Sequence, residues 1–183
     1  MSNTAENGIG KGYVQVYTGN GKGKTTAALG LAFRAAGAGM KVYIAQFAKG
    51  TQYSELQSVG LLPLGMIELE QFGVGSFIAK NGVMSDTDKQ RAECCLARVK
   101  EQIFSRKYQI IICDEINIAV YHELIDVSDV INLIDSKPDG VELILTGRYA
   151  KDEVINRADL VSEIIEVKHY LKSGVPARIG IEK

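Results

Sequence analysis

The sequence predicts an α/β fold: a mostly parallel β-sheet flanked by helices on both faces, in a single domain. Three observations carry this. Short β-type runs alternate with helical stretches along almost the whole chain. The run Ile110-Ile111-Ile112-Cys113 is continuously apolar, as strands covered on both faces are. A glycine-rich turn joins the first strand directly to the first helix.

In chain order, residues 13–17 (Tyr-Val-Gln-Val-Tyr) read as the first strand. Residues 24–36, rich in Ala and Leu, read as a helix that Gly37 and Gly39 stop. A second strand over 41–46 has β-branched and aromatic residues, followed by a short helix over 51–59 and a third strand over 67–71. Residues 72–85 read as a loop punctuated by Gly73, Gly75 and Gly82. The longest helical pattern covers 86–105, with Ala92, Cys95, Leu96, Val99 and Ile103 on one face. After the strand at 110–113 come a helix over 127–136, a buried strand over 141–146, a helix over 151–158 and a last strand over 163–167. Gly174, Pro176 and Gly180 make the tail, 168–183, a loop with a short extended end.

Composition narrows the function classes. The 183 residues suit one core and are 46% hydrophobic and 23% charged, the balance of a globular chain. A net charge of −1 argues against a nucleic-acid binder that works by bulk attraction. Three cysteines, two of them the adjacent Cys94 and Cys95, with Cys113 apart and no CxxC pair, form neither a disulfide framework nor a zinc site. Residues 1–12 are polar and glycine-rich, read as a flexible N-terminal segment ahead of a domain over 13–183. That segment lacks the apolar core of a signal peptide, and no apolar run approaches the roughly 20 residues that span a bilayer. The expected location is the cytoplasm, without a membrane partner.

Chemistry concentrates at strand ends, where parallel sheets bind ligands. Thr18-Gly19-Asn20-Gly21-Lys22-Gly23-Lys24-Thr25-Thr26 lies between the first strand and the first helix, the setting of a P-loop. Its glycines let backbone N–H groups turn toward phosphate oxygens, and the helix N-terminus adds partial positive charge. Lys24 is placed to reach the terminal phosphates and the Thr25 hydroxyl to hold magnesium. The strict pattern would begin with glycine where Thr18 stands, and Lys22 adds a second charge inside the loop. Asp114-Glu115 closes the apolar strand at 110–113, where a carboxylate can serve magnesium beside such a loop, with Glu115 favoured and Asp114 close by. Arg148 follows the strand at 141–146 and could contact phosphate, or form a structural ion pair instead.

These stretches together resemble the ATP:corrinoid adenosyltransferases. The resemblance rests on the loop spelling from Tyr17 to Ala28, which accounts for the missing first glycine. It continues through Gln46-Phe47-Ala48-Lys49-Gly50, Cys113-Asp114-Glu115-Ile116-Asn117, Leu145-Thr146-Gly147-Arg148, Ala158-Asp159-Leu160-Val161 and Lys168-His169-Tyr170 to Gly174-Val175-Pro176-Ala177-Arg178-Ile179-Gly180-Ile181-Glu182. It implies a RecA-like P-loop domain that binds ATP with magnesium, or manganese in its place. It also implies transfer of adenosyl to Co(I) of a corrinoid (cobalamin, cobinamide or cobyrinic acid diamide) with loss of triphosphate. A reduced flavoprotein would be the electron donor and a homodimer the assembly, with the N-terminal segment able to fold over the corrinoid. Gly19, Asn20, Gly21, Lys22, Gly23, Lys24, Thr25 and Thr26 would bind ATP, joined by Arg148 and Lys49. Lys24, Lys22 and Glu115 would carry catalysis, with Thr25, Glu115 and Asp114 around magnesium. Relatives displace the axial cobalt ligand with aromatic side chains, some with a Trp; this chain has none, so Phe72 and Phe77 are the local candidates. His169 could touch corrinoid or a second subunit. Two competing readings are a P-loop ATPase or kinase that releases ADP, and a non-catalytic module that binds ATP and corrinoid.

Overall fold

The computed structural model describes residues 9–47, 49–50, 54–63, 65–73 and 84–183. Six strands form one sheet: β1 (Val14–Thr18), β2 (Val42–Gln46), β3 (Ile67–Gln71), β4 (Ile110–Asp114), β5 (Glu142–Thr146) and β6 (Leu160–Glu163). All pairings are parallel and the spatial order is β3-β2-β4-β5-β1-β6. The helices are α1 (Lys24–Gly37), α2 (Ser54–Gly60), α3 (Asp86–Phe104), α4 (Ile116–Tyr121), α5 (Val127–Asp135) and α6 (Asp152–Ile155). This is the parallel, helix-flanked domain that the alternating pattern predicts.

Side-chain alternation along the strands divides the core in two. Val16, Tyr43, Ala45, Ile111, Cys113, Leu143 and Leu145 point to one face, where they meet Cys95 and Val99 of α3, Ile116 of α4, Leu133 of α5 and Val154 of α6. Ile44, Ile110, Ile112 and Ile144 point to the other face and pack on Ala28, Ala32 and Ala35 of α1. The small alanines let α1 lie close to the sheet, which holds its N-terminus at the end of β1. The helix leaving β1 thus covers one face, while those associated with β4 and β5 cover the other. Such a reversal opens a crevice at the carboxyl ends of the strands, where α/β proteins bind ligands.

Three expectations need correction. The last strand is Leu160–Glu163 and not 163–167. Its register pairs Gln15 with Leu160 and Thr18 with Glu163, so β1 has no residue left to pair beyond that point. The helix expected over 151–158 keeps only Asp152–Ile155, and the tail carries a 3₁₀ turn at Tyr170–Ser173 in place of an extended end. Helix α4 has no counterpart in the sequence reading: Ile116, Ile118 and Val120 are poor helix formers. Tertiary burial of Ile116, Ala119 and Val120 overrides that preference. Of the N-terminal segment, residues 1–8 lie outside the described residues, while Gly12 is tied down by its N–H donating to the Asp139 carbonyl (2.5 Å).

Candidate active site

The glycine-rich loop leaves β1 at Thr18 and enters α1 at Lys24. Gly19 and Gly23 have φ of 91° and 124°, the region that side-chain-bearing residues avoid. Gly21 is required for a second reason: its N–H donates to the Ile164 carbonyl at 2.7 Å, and a Cβ there would lie 2.8 Å from the same oxygen. The loop is therefore braced against the chain that leaves β6. Gly21→Ala is expected to push the loop off this brace and to cut activity at least about tenfold, with the fold retained, as a circular-dichroism spectrum beside a turnover assay would show.

Gly23 caps α1 without a side-chain acceptor, so the first N–H groups of the helix point into the cleft unclaimed by a cap. Lys24, only 6% exposed, bends back over the loop and its Nζ donates to the carbonyls of Gly19 (2.8 Å) and Gly21 (2.7 Å). Burial lowers its pKa, and the charge of Glu115 opposes that shift. The result is an ammonium fixed beside a helix N-terminus, an arrangement suited to an anion. Lys22, Asn20 and Thr26 on the same loop are exposed.

The acidic side of the site is built at the ends of β4, β5 and β2. Asp114 is 1% exposed, yet its carboxylate is well partnered. Oδ1 accepts from the hydroxyls of Thr25 (2.9 Å) and Thr146 (2.7 Å); Oδ2 accepts from Gln46 Nε2 (3.0 Å) and lies 3.6 Å from Lys49 Nζ. Gln46, itself fully buried, also donates to Glu55 and accepts from Gln71 at the end of β3. Lys49 pairs with Glu55 at 2.9 Å. Burial alone would raise the Glu55 pKa, but the hydrogen bond and charge of Lys49 bring it down overall.

Glu115 begins α4 with φ of 65°, a left-handed conformation that costs a non-glycine residue about 1 kcal/mol or more. Its N–H donates to Thr146 Oγ1 (2.9 Å), so one hydroxyl fixes both acidic residues. Gly147, at φ 129°, leaves room for the Glu115 carboxylate: a Cβ there would sit 3.2 Å from its Oε2. Burial raises the Glu115 pKa and the Asp114 charge adds to this, while Lys24, Lys49 and Arg148 pull it back. Three cations from different parts of the chain thus act on this carboxylate through their charge.

A cleft of about 580 Å³ brings together most of the predicted loop and strand-end residues, but Gly19 and Asn20 do not line it. Gly21 to Thr26, Lys49, Glu115 and Arg148 line it, as do Ser54 and Glu55 of α2 and much of the tail. Asp114 lies beneath, reached through Thr25. Sequence reading favoured Glu115 over Asp114 as the metal carboxylate; Asp114 is the one in contact with Thr25. Phe72 is part-buried, packed against the core, with its N–H donating to the Gln46 carbonyl (3.1 Å). Phe77 lies outside the described residues. His169 caps the 3₁₀ turn, its Nδ1 accepting from the Leu171 N–H (3.0 Å). Sequence reasoning missed Thr146, Gln46 and Glu55; the first two end strands beside Asp114, and strand-end polarity was the available signal.

The tail is held by a compact polar knot. The Glu182 carboxylate accepts from the Arg178 N–H (2.9 Å), the Arg178 guanidinium (3.3 Å) and the Tyr170 hydroxyl, and Arg178 also stacks over the Tyr170 ring (5.0 Å). The Arg178 and Tyr170 hydrogen bonds hold the Glu182 carboxyl down at about 2. A depressed carboxyl pKa makes the knot fully effective above the unfolded value of about 4.3 and progressively weaker as pH falls toward the folded value. Amide protection factors in residues 178–183, taken relative to the intrinsic exchange rate at each pH, are therefore expected to fall on acidification through that window, and Glu182→Gln to abolish this acid step.

Residues 10–182 match the family described as ATP:corrinoid adenosyltransferase BtuR/CobO/CobP. A corrinoid adenosyltransferase of Escherichia coli (strain K12) is 33% identical over 177 residues, covering 94% of this chain and 86% of that protein. One from Sinorhizobium sp is 34% identical over 173 residues, with 94% and 80% covered. A third, from Pseudomonas aeruginosa, is 31% identical over 172 residues, with 94% and 84% covered. The match runs from before the glycine-rich loop to the knotted tail, and this chain belongs to the ATP:corrinoid adenosyltransferase family, a family of transferases.

Proposed function

We propose that this protein transfers the 5′-deoxyadenosyl group of ATP to Co(I) of a corrinoid and releases inorganic triphosphate, in synthesis or salvage of the adenosylated cofactor. The observation that carries the reading is the clasp of Lys24 over the glycine-rich loop, beside the open N-terminus of α1 and above the Thr25–Asp114 pair. It is suited to a polyanionic leaving group. The cobalt electron pair attacks C5′ of the ribose, the cobalt–carbon bond forms, and the carbon–oxygen bond breaks with its electrons leaving on triphosphate. Cobalt passes formally from Co(I) to Co(III), so the protein need supply no nucleophile. Its task is electrostatic and geometric: Lys24, Lys22, the loop N–H groups and Arg148 stabilise the departing charge, and the cleft aligns the ribose with the corrinoid.

The residues also fit magnesium. Among the described residues no three His, Cys, Asp or Glu side chains gather into a metal cage. A hydroxyl and a buried carboxylate beside a phosphate site are the sparse oxygen set magnesium takes alongside substrate phosphates. Thr25 and Asp114, with Glu115 close by, would hold it, and it would supply charge neutralisation on the phosphates. A reduced flavoprotein would deliver the electron that makes Co(I), and Phe72 and Phe77 would crowd the axial ligand from cobalt. We further propose a homodimer in the cytoplasm, with the N-terminal segment covering the corrinoid.

Product analysis tests the reaction. Purified protein, ATP, magnesium and chemically reduced cob(I)alamin, without oxygen and in dim light, should give a light-sensitive alkylated corrinoid with one triphosphate each. ADP and phosphate without alkylated corrinoid would mean a hydrolase or kinase.

A further inference from the structure

We propose that the tail, residues 169–183, is the nucleoside wall of the cleft, with Leu171, Val175, Ala177 and Ile181 receiving the uncharged adenosine half of the nucleotide. This rests on the reading of the cleft as an ATP site.

The path of the tail places it there. It follows Ile164 and Ile165, which brace Gly19 and Gly21 of the phosphate loop. It ends where Ser54 Oγ of α2 donates to the Lys183 carbonyl (3.1 Å). Since β6 is one edge of the sheet and α2 packs beside β3 at the other, the tail crosses the carboxyl ends of the strands over the loop. The cleft therefore has two chemically different sides. The floor carries Lys22, Lys24, Lys49, Arg148 and Glu115; the tail side carries four aliphatic residues, beside His169, Tyr170, Glu182 and Lys183.

Two of these, Leu171 and Ile181, are 63% and 55% exposed. Single exposed aliphatics are ordinary, but four gathered on the wall of a charged cleft mark a ligand surface. A ligand with a polyanionic end and a flat, uncharged body satisfies both sides at once, and a nucleoside triphosphate has that form. The wall is also preformed. The Tyr170–Arg178–Glu182 knot closes the tail on itself, Gly180 N–H donates to the Lys183 carbonyl (2.6 Å), and Gly174 and Gly180 take the positive φ of 83° and 78° that its turns require. A wall ordered before binding adds less entropic cost when the nucleotide arrives. In this arrangement Arg178 is a positioning residue, acting through the wall it shapes, while Tyr170 and Glu182 both shape the wall and line the cleft.

The test is calorimetric. Dissociation constants for ATP and for inorganic triphosphate, both with magnesium, would be measured on the full chain and on Leu171→Ser and Ile181→Ser. Both residues are exposed, so the variants should keep the wild-type unfolding temperature. Each substitution is expected to weaken ATP about tenfold and to leave triphosphate unchanged. Glu182→Gln should do the same more weakly, a split that a general loss of stability would not produce. Equal weakening of ATP and triphosphate, or unchanged ATP affinity in both serine variants, would overturn the proposal. So would normal ATP binding with loss of cob(II)alamin binding, which would make the tail the corrinoid wall. If the wild-type chain bound triphosphate but ATP no better, the wall would fail while the phosphate-loop reading stood. If it bound neither, the ATP reading itself would fail.

Discussion

Lys24→Ala is expected to lower kcat/KM for corrinoid adenosylation about a thousandfold or more. The ammonium is held by two loop carbonyls within 2.8 Å and desolvated beside the helix N-terminus, so its field at the leaving triphosphate is weakly screened. Among the described residues no other cation sits between the two carbonyls: Lys22 is exposed on the loop, and Lys49 is engaged with Glu55 and Asp114. Effects on stability oppose each other. The substitution relieves the burial that depresses the Lys24 pKa, but it leaves the Gly19 and Gly21 carbonyls without that donor, so the unfolding free energy should move by less than about 2 kcal/mol. Steady-state kinetics beside a urea unfolding curve check both parts. An arginine should not rescue activity, because its planar fork cannot occupy the space between the two carbonyls as a point charge does.

Asp114→Asn is expected to cost a hundredfold to a thousandfold, roughly the range for removing one preorganised electrostatic group. The change is nearly isosteric, so the fold should survive, but the hydrogen-bond logic fails. The carboxylate accepts from Thr25, Thr146 and Gln46, and an amide puts N–H donors where one oxygen accepted. The Thr25 hydroxyl would lose its anchor and the magnesium requirement should rise. A titration of activity against magnesium separates this from simple misfolding: the variant should need more metal and still fall short at saturation. Glu115→Gln should have the smaller effect on that titration, because Glu115 does not contact Thr25.

How much of this was readable beforehand differs by feature. The parallel sheet and its buried strands follow from apolar runs such as 110–113, because a strand with both faces covered cannot alternate. The glycine-rich loop was readable because its glycines meet local demands: positive φ at Gly19 and Gly23 and close approach at Gly21. Features set by neighbours distant in sequence were not. The end of β6 depends on where β1 stops, which is a matter of register across about 145 residues of chain. Gln46 reads as the polar end of a strand, and only the fold brings it to Asp114, 68 residues away. The tail reads as a loop because its order comes from one knot around Glu182 and not from any periodic pattern.

The proposed reaction breaks carbon–oxygen and leaves every phosphorus–oxygen bond intact. This is testable with ATP carrying heavy oxygen at the bridge between C5′ and the α-phosphorus. After turnover with cob(I)alamin and magnesium, mass spectrometry of the released polyphosphate gives the answer directly. The account predicts inorganic triphosphate that retains the heavy oxygen, in amount equal to the adenosylated corrinoid. Heavy oxygen left on a nucleoside or nucleotide product, with unlabelled phosphates released, would contradict it.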